Sequence, residues 1–194
     1  MIAYLKGNFV YKSPAVVHVD VNGVGYEVLI SLNTYSKIQN LDKGILHTCL
    51  LIREDAHILV GFFELAEKEM FLHLISVSGI GATTARIMLS YMKPEELARA
   101  IITSDTRTLE SIKGIGKKTA ERMVLELKDK LAKQPIGSNI SPMNYNTLHS
   151  DALNALMALG IARNTADQAI QRVTLADTTL TSIEEVIKKA LKTL

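Results

Sequence analysis

Disulfides, tryptophan and long apolar runs are what this sequence does without. One cysteine, Cys49, occurs in 194 residues, so no internal disulfide framework exists and a reducing compartment is expected. No stretch approaches the roughly 18 consecutive apolar residues that a spanning helix needs. The opening Met1-Ile2-Ala3-Tyr4-Leu5-Lys6 lacks the basic and then apolar order of a secretory leader, so a cytoplasmic location without membrane attachment is expected. A GxxxxGK[ST] phosphate loop is missing too, which excludes a nucleotide motor of the P-loop kind.

What the sequence does have is an internal repeat. Leu74-Ile75-Ser76-Val77-Ser78-Gly79-Ile80-Gly81-Ala82-Thr83-Thr84-Ala85-Arg86-Ile87-Met88-Leu89 aligns with the stretch Leu109 to Val124, 35 residues later. Leu, Ser, Gly, Ile, Gly, Thr, Ala and Met recur in register. Each copy reads as a helix, a Gly-x-Gly turn and a second helix. Glycine permits positive φ and close approach of another backbone. Such a turn leaves N–H groups free at the start of the next helix, where the dipole favours a phosphate oxygen. These contacts position a nucleic-acid backbone and read no sequence. The candidate grips are Gly79, Ile80, Gly81 and Thr83 in the first copy. In the second they are Gly114, Ile115, Gly116, Lys117, Lys118 and Arg122. Ile80 and Ile115 are expected to point inward and lock each turn to its helices.

A Rossmann loop is the alternative, but it needs a preceding strand and a third glycine, where this chain has Thr84 or Thr119. Charge favours nucleic acid. The net formal charge is +2, and residues 64–133 carry the whole surplus, with twelve Lys and Arg against ten Asp and Glu. Lys113, Lys117, Lys118, Arg122, Lys128, Lys130 and Lys133 crowd one region. The second copy is therefore expected to contribute more to salt dependence than the first.

Four parts follow from the periodicities. Residues 1–63 alternate as short strands, with Val17, Val19 and Val21 on one face, a turn at Asn22-Gly23-Val24-Gly25, and further runs over 26–30, 45–52 and 57–63. Five or so such strands suggest a small β-barrel. His18, His47 and His57 lie on these strands without close partners and read as structural. Residues 64–133 turn helical, with Phe71, Leu72, Leu74 and Ile75 as the first apolar stripe and Pro94 opening a further helix. Residues 134–147, rich in Pro, Gly, Ser and Asn, read as a flexible linker. Residues 148–194 read as a three-helix bundle. Leu153, Leu156 and Met157 are spaced on its first helix and Asn164 caps its second. Thr181 or Ser182 opens the third, with Ile183, Val186, Ile187 and Leu191 inward. So small a bundle cannot bury Leu156, Leu159, Ile161 and Leu191 together, so these four are candidates for a partner surface. Leu125 and Leu127 are candidates for core or subunit contact.

Asn22-Gly23-Val24-Gly25-Tyr26-Glu27-Val28, Arg53-Glu54-Asp55-Ala56 with Gly61-Phe62, and Gly114-Ile115-Gly116-Lys117-Lys118-Thr119-Ala120-Glu121-Arg122 carry a resemblance across the whole chain. The sequence is similar to the bacterial RuvA family of Holliday-junction branch-migration proteins. The resemblance implies an α+β multidomain fold with an OB-like barrel, a tandem helix-hairpin-helix module and a UBA-like three-helix bundle. It also implies a flat homotetramer, possible as paired tetramers, that holds an open four-way DNA junction. The partners it implies are the RuvB hexameric ATPase, which alone would use ATP, and the RuvC resolvase. No cofactor, metal or catalytic residue is implied for this chain. Glu54 and Asp55 occupy the family's acidic pin, near the junction centre. Acidic tips repel phosphates, so they would oppose arm stacking and weaken binding to plain duplex. One departure is Ala82-Thr83-Thr84 after the first turn, where the family more often places a lysine. Two other classes compete with this reading. One is a structure-specific nuclease subunit, which needs a two-metal carboxylate cluster that the scattered acids do not supply. The other is a module whose bundle binds a ubiquitin-like partner.

Overall fold

The computed structural model describes residues 1–133, 145–176 and 182–193. Two compact units divide the chain, 1–138 and 139–194. Most of the segment read as a linker, 134–144, lies outside the described residues, as does Thr181.

The first unit begins with five strands, β1 (Tyr4–Lys12), β2 (Val16–Val21), β3 (Val24–Leu29), β4 (Lys43–Ile52) and β5 (His57–Phe62). They close in the order β1-β2-β3-β5-β4, with β3 and β5 parallel. A short helix, α1 (Leu32–Ile38), sits between β3 and β4. A five-stranded closed barrel with that order and a helix before β4 is the OB topology. Alternation fills it: Leu5, Phe9, Val17, Val19, Val28 and Leu46 are buried together inside. Asn22 and Gly23 both have positive φ, 53° and 89°, so β2 and β3 join in a two-residue turn whose twist suits a hairpin. Strand β3 thus starts at Val24, two residues before the alternating run suggested.

His18 departs from expectation. It faces Glu27 across the β2–β3 ladder, Nε2 to Oε2 3.5 Å, and its ring lies 4.8 Å from that of Tyr11. The histidine is structural but not partnerless; the strand pairing brings the neighbours, and single-strand spacing could not show them.

Helices follow: α2 (Leu65–Ile75), α3 (Ala82–Tyr91), α4 (Pro94–Ile102), α5 (Thr106–Glu110) and α6 (Lys117–Lys133). Their core is continuous with the barrel wall, because Val60 and Phe62 of β5 pack with Met70, Phe71 and Leu74 of α2. The Phe62 and Phe71 rings lie 5.0 Å apart. On α2 the buried face is Glu67, Met70, Phe71 and Leu74, whereas Leu72 is exposed. The i, i+3, i+4, i+7 rule selects that face and leaves Leu72 outside it, which corrects the stripe read from the sequence. On α6, Leu127 is core and Leu125 is 84% exposed.

The second unit holds α7 (Tyr145–Ala158), α8 (Arg163–Ala176) and α9 (Ile183–Thr193). Helix α7 begins three residues before the segment read as bundle starts. Ala152, Leu153, Leu156, Ala166, Ala169, Ile170, Val173, Val186 and Ala190 form its core. Helix α7 ends before Gly160, whose φ of 88° suits a helix C-terminus. Asn164 lies inside the first turn of α8 rather than capping it, since Ala166 N–H already bonds the Ala162 carbonyl. On α9, Ile183 and Leu191 are exposed and Ala190 takes an inward place. The close helix contacts leave room for alanine there, and the leucine turns to solvent.

Candidate nucleic-acid interface

The sequence repeat is also a repeat of hydrogen bonds. In the first turn Val77 N–H bonds the Leu74 carbonyl, Ile80 N–H the Val77 carbonyl and Ala85 N–H the Gly81 carbonyl. In the second, Ile112 N–H bonds Leu109, Ile115 N–H bonds Ile112 and Ala120 N–H bonds Gly116. Gly79 and Gly114 take φ of 95° and 93°, a region that only glycine enters cheaply, so the first glycine of each pair is fixed by backbone geometry. Ile80 and Ile115 are buried in the core, as expected of the residues that lock each turn.

The second glycines pose a different question. Gly81 has φ −85° and ψ 168°, conformations open to any residue. A Cβ built on Gly81 or on Gly116 would meet nothing of this chain within 4 Å. Neither a steric clash nor a positive φ demands glycine at either position, then. What a bare Cα leaves here is room for something outside the chain to approach the N–H groups that open α3 and α6. Of those N–H groups, Ala82, Thr83 and Thr84 in α3 precede the first i→i−4 bond at Ala85; in α6 the Thr119 N–H is taken by the Gly116 carbonyl at 3.0 Å, so Lys117 and Lys118 are the ones that precede any helical bond. Neither helix has an acidic residue in its first turn, and Gly81 offers no side-chain cap. Helix α4 shows the contrast. It carries Glu95 and Glu96 in its first turn, and the Glu96 carboxylate accepts the Lys93 N–H at 2.9 Å. So α4 places its own negative charge at its terminus, whereas α3 and α6 carry none there and leave theirs open to an anion.

Side chains around the two openings differ. Lys113, Lys117 and Lys118 are exposed at the second turn, and Thr83 is exposed at the first. Arg122 is exposed as well, but its guanidinium reaches across and donates to the Ser78 carbonyl at 3.2 Å. It therefore ties the second hairpin to the loop of the first, a role the sequence did not reveal. Arg86 on α3 is half-buried, and burial pushes its guanidinium pKa down. One of its nitrogens is buried without a hydrogen-bond partner among the described residues.

Glu54 and Asp55 sit at the exposed tip of the β4–β5 hairpin, which the Arg53 N–H to Ala56 carbonyl bond closes at 2.9 Å. Of the four apolar partner candidates, Leu159 is 63% and Leu191 44% exposed, and Ile161 is partly buried against the bundle core. Leu156 is fully buried and faces the interior, so that residue is core and has no surface to offer a partner. Burial also pushes the Cys49 thiol pKa up, which disfavours the thiolate. Among the described residues no three His, Cys, Asp or Glu are grouped as metal ligands, and no helix is long and apolar enough to cross a membrane.

Sequence reasoning missed a buried polar group between α1 and α2. Glu67 accepts hydrogen bonds from the Ser31 and Thr34 hydroxyls, the latter at 2.7 Å. Burial raises its carboxyl pKa, outweighing those two bonds and the nearby Lys37. The signal was present: an acid on the same helical face as Met70, Phe71 and Leu74.

An OB-type barrel joined to two helix-hairpin-helix turns with open termini defines a protein of the sequence-independent DNA-binding class. Comparison with known proteins places it more closely. Residues 1–61 match the model of the RuvA N terminal domain, 71–129 that of the SAM-like helix-hairpin-helix tandem, and 147–194 that of the RuvA C-terminal domain. The chain is 45% identical to the Holliday junction branch migration complex subunit RuvA of Cytophaga hutchinsonii over 99% of both chains. It is 46% identical to the protein of that name from Flavobacterium psychrophilum over 100% of both, and 42% to that of Bacteroides fragilis, again over 100% of both. The chain belongs to the RuvA family.

Proposed function

We infer that this chain binds four-way DNA junctions regardless of sequence, holds them open and serves as the non-catalytic subunit of a branch-migration complex in recombination and repair. The observation that carries the reading is the pair of open helix N-termini behind Gly81 and Gly116, where neither a positive φ nor a neighbouring atom of the chain demands glycine. Two such grips per subunit suit successive stretches of one arm's backbone. Lys117 and Lys118 add charge at the second grip, Thr83 only a hydroxyl at the first. Arg122 keeps the two grips at a fixed spacing.

Hairpins alone would hold any duplex. Preference for a junction has to come from the acidic tip, Glu54 and Asp55, and from assembly of several subunits around a centre. Four acidic tips there would repel the phosphates of stacked arms and keep strands apart for rethreading. The reading includes a homotetramer, with Leu125 suited to a subunit contact. The bundle of α7 to α9 would recruit the RuvB ATPase through Leu159, Ile161 and Leu191, and ATP would be used there and not by this chain. RuvC would act on the same held junction. A protein with this substrate works where the chromosome is, in the bacterial cytoplasm.

Gel-shift titration of a four-way junction and of linear duplex tests the reading. Tighter junction binding supports it, and magnesium-dependent cleavage of the junction by the purified chain would show a nuclease instead.

A further inference from the structure

One continuous stretch of chain leads from the acidic tip to the first phosphate grip. Strand β5 starts just after Asp55, bends at Phe63 and Glu64 into α2, and α2 ends at the turn containing Gly79. If the functional reading above is right, the angle at that bend sets where the tip stands relative to the grip.

The bend is clamped from one side by α1. The Phe63 N–H donates to Thr34 Oγ1 at 3.0 Å, and the same hydroxyl donates to Glu67 Oε2 at 2.7 Å. Ser31 Oγ accepts the Thr34 N–H at 3.0 Å and donates to Glu67 Oε1. Each hydroxyl thus has a backbone N–H on its oxygen, and its proton is committed to the carboxylate. Lys37, at the other end of α1, pairs with Glu64 at the bend itself. Helix α1 also holds α3: the Asn33 amide donates to the Leu89 and Met92 carbonyls, and the Leu32 N–H donates to Ser90 Oγ at 3.0 Å.

Ser31, Thr34 and Glu67 are all buried. A buried carboxylate is a poor way to gain stability, because an apolar residue of similar volume is often neutral or better. The Met70, Phe71, Leu74 face would accept one. What a carboxylate supplies instead is direction: two oxygens that fix two hydroxyls on a separate helix. We propose that Glu67 is a positioning residue which, by locking α1 across the β5–α2 bend, holds the Glu54–Asp55 tip in place against the phosphate grips and so sets the preference for junction over duplex. Apolar packing is the competitor. If Phe62 against Phe71 alone fixes the bend, Glu67 affects stability and nothing else.

Full-length protein carrying Glu67→Gln or, separately, Ser31→Ala distinguishes these. Affinity for a four-way junction and for linear duplex is measured alongside thermal melting and the wild type. An amide keeps one acceptor and faces the other hydroxyl with a donor; alanine at position 31 removes one clamp and leaves Thr34 bonded to Glu67. In both variants the ratio of junction to duplex affinity should narrow by about fivefold or more, through weaker junction binding, tighter duplex binding as the tip leaves its place, or both. A variant folded at the assay temperature that keeps the wild-type ratio overturns the proposal, whatever its melting temperature. Should Glu67→Gln not fold, Ser31→Ala decides alone. Wild-type protein with no junction preference would overturn the functional reading instead.

Discussion

Substituting Gly81 by alanine separates folding from binding in one residue. At φ −85° and ψ 168° alanine is unstrained, and its Cβ would point into open space. Gly81 is the N-cap of α3, where alanine is somewhat worse than glycine, but alanine also reduces the freedom of the unfolded chain. The two effects oppose each other, and the net change in stability should lie within about 0.5 kcal/mol. Binding is another matter. A methyl group at this position stands between an approaching phosphate and the first N–H groups of α3, and charge-assisted bonds of that kind contribute about 1.5–3 kcal/mol each. Losing one should weaken DNA binding by at least about tenfold. The assay is fluorescence anisotropy of labelled junction, with urea denaturation of the same preparation. Gly79→Ala is the control with the opposite profile: at φ 95° alanine is strained, and roughly 1–2 kcal/mol of stability should go. Unchanged DNA affinity in a stable Gly81→Ala protein would refute the account of the second glycine.

Other outcomes can be stated more briefly. Replacing Lys117 and Lys118 by alanine should flatten the plot of log affinity against log salt by nearly one unit for each phosphate that is no longer neutralised, and Thr83→Ala should leave it alone; equal slopes would refute the inequality of the two grips. Glu54→Gln with Asp55→Gln should raise duplex affinity, and an unchanged value would count against electrostatic exclusion by the tip. Deleting 148–194 should leave junction binding intact and abolish stimulation of the motor, since the remaining chain contains the whole described first unit. The raised pKa of Glu67 means that the folded protein holds its proton more tightly than the unfolded chain does. Stability should therefore fall as pH rises from the ordinary carboxylate pKa to the raised one and then level off, and Glu67→Gln should remove that slope. A slope that survives the substitution would assign it to other groups.

The Gly-x-Gly copies were plain in the sequence because a repeat constrains type and spacing together. Strand β1 was not. Val10 is a bulge between the Phe9 and Tyr11 pairings, which breaks the alternation, and the inner face carries Gly7 where an apolar residue would be expected. A Cβ at Gly7 would lie 2.0 Å from the Asp20 carbonyl oxygen, so the neighbouring strand dictates that glycine. Helix α1 escaped notice because seven residues are too few for a period to show. In the bundle, Leu156 and Leu191 look alike in sequence, yet one is fully buried and the other 44% exposed. Periodicity identified the helices there but not how far each face turns inward, which depends on where small residues such as Ala190 let the helices meet. The two Gly-x-Gly turns were legible; the bond from Arg122 to Ser78, joining positions 44 residues apart, was not.

The central claim is that this chain recognises the form of a junction and not merely its phosphates. Its most direct test is the ratio of affinities for an immobile four-way junction and for linear duplex of identical arm sequence, measured at one salt concentration. The account predicts clearly tighter binding to the junction, with the difference shrinking when Glu54 and Asp55 lose their charge. Equal affinity for the two DNAs in the wild-type protein would contradict it.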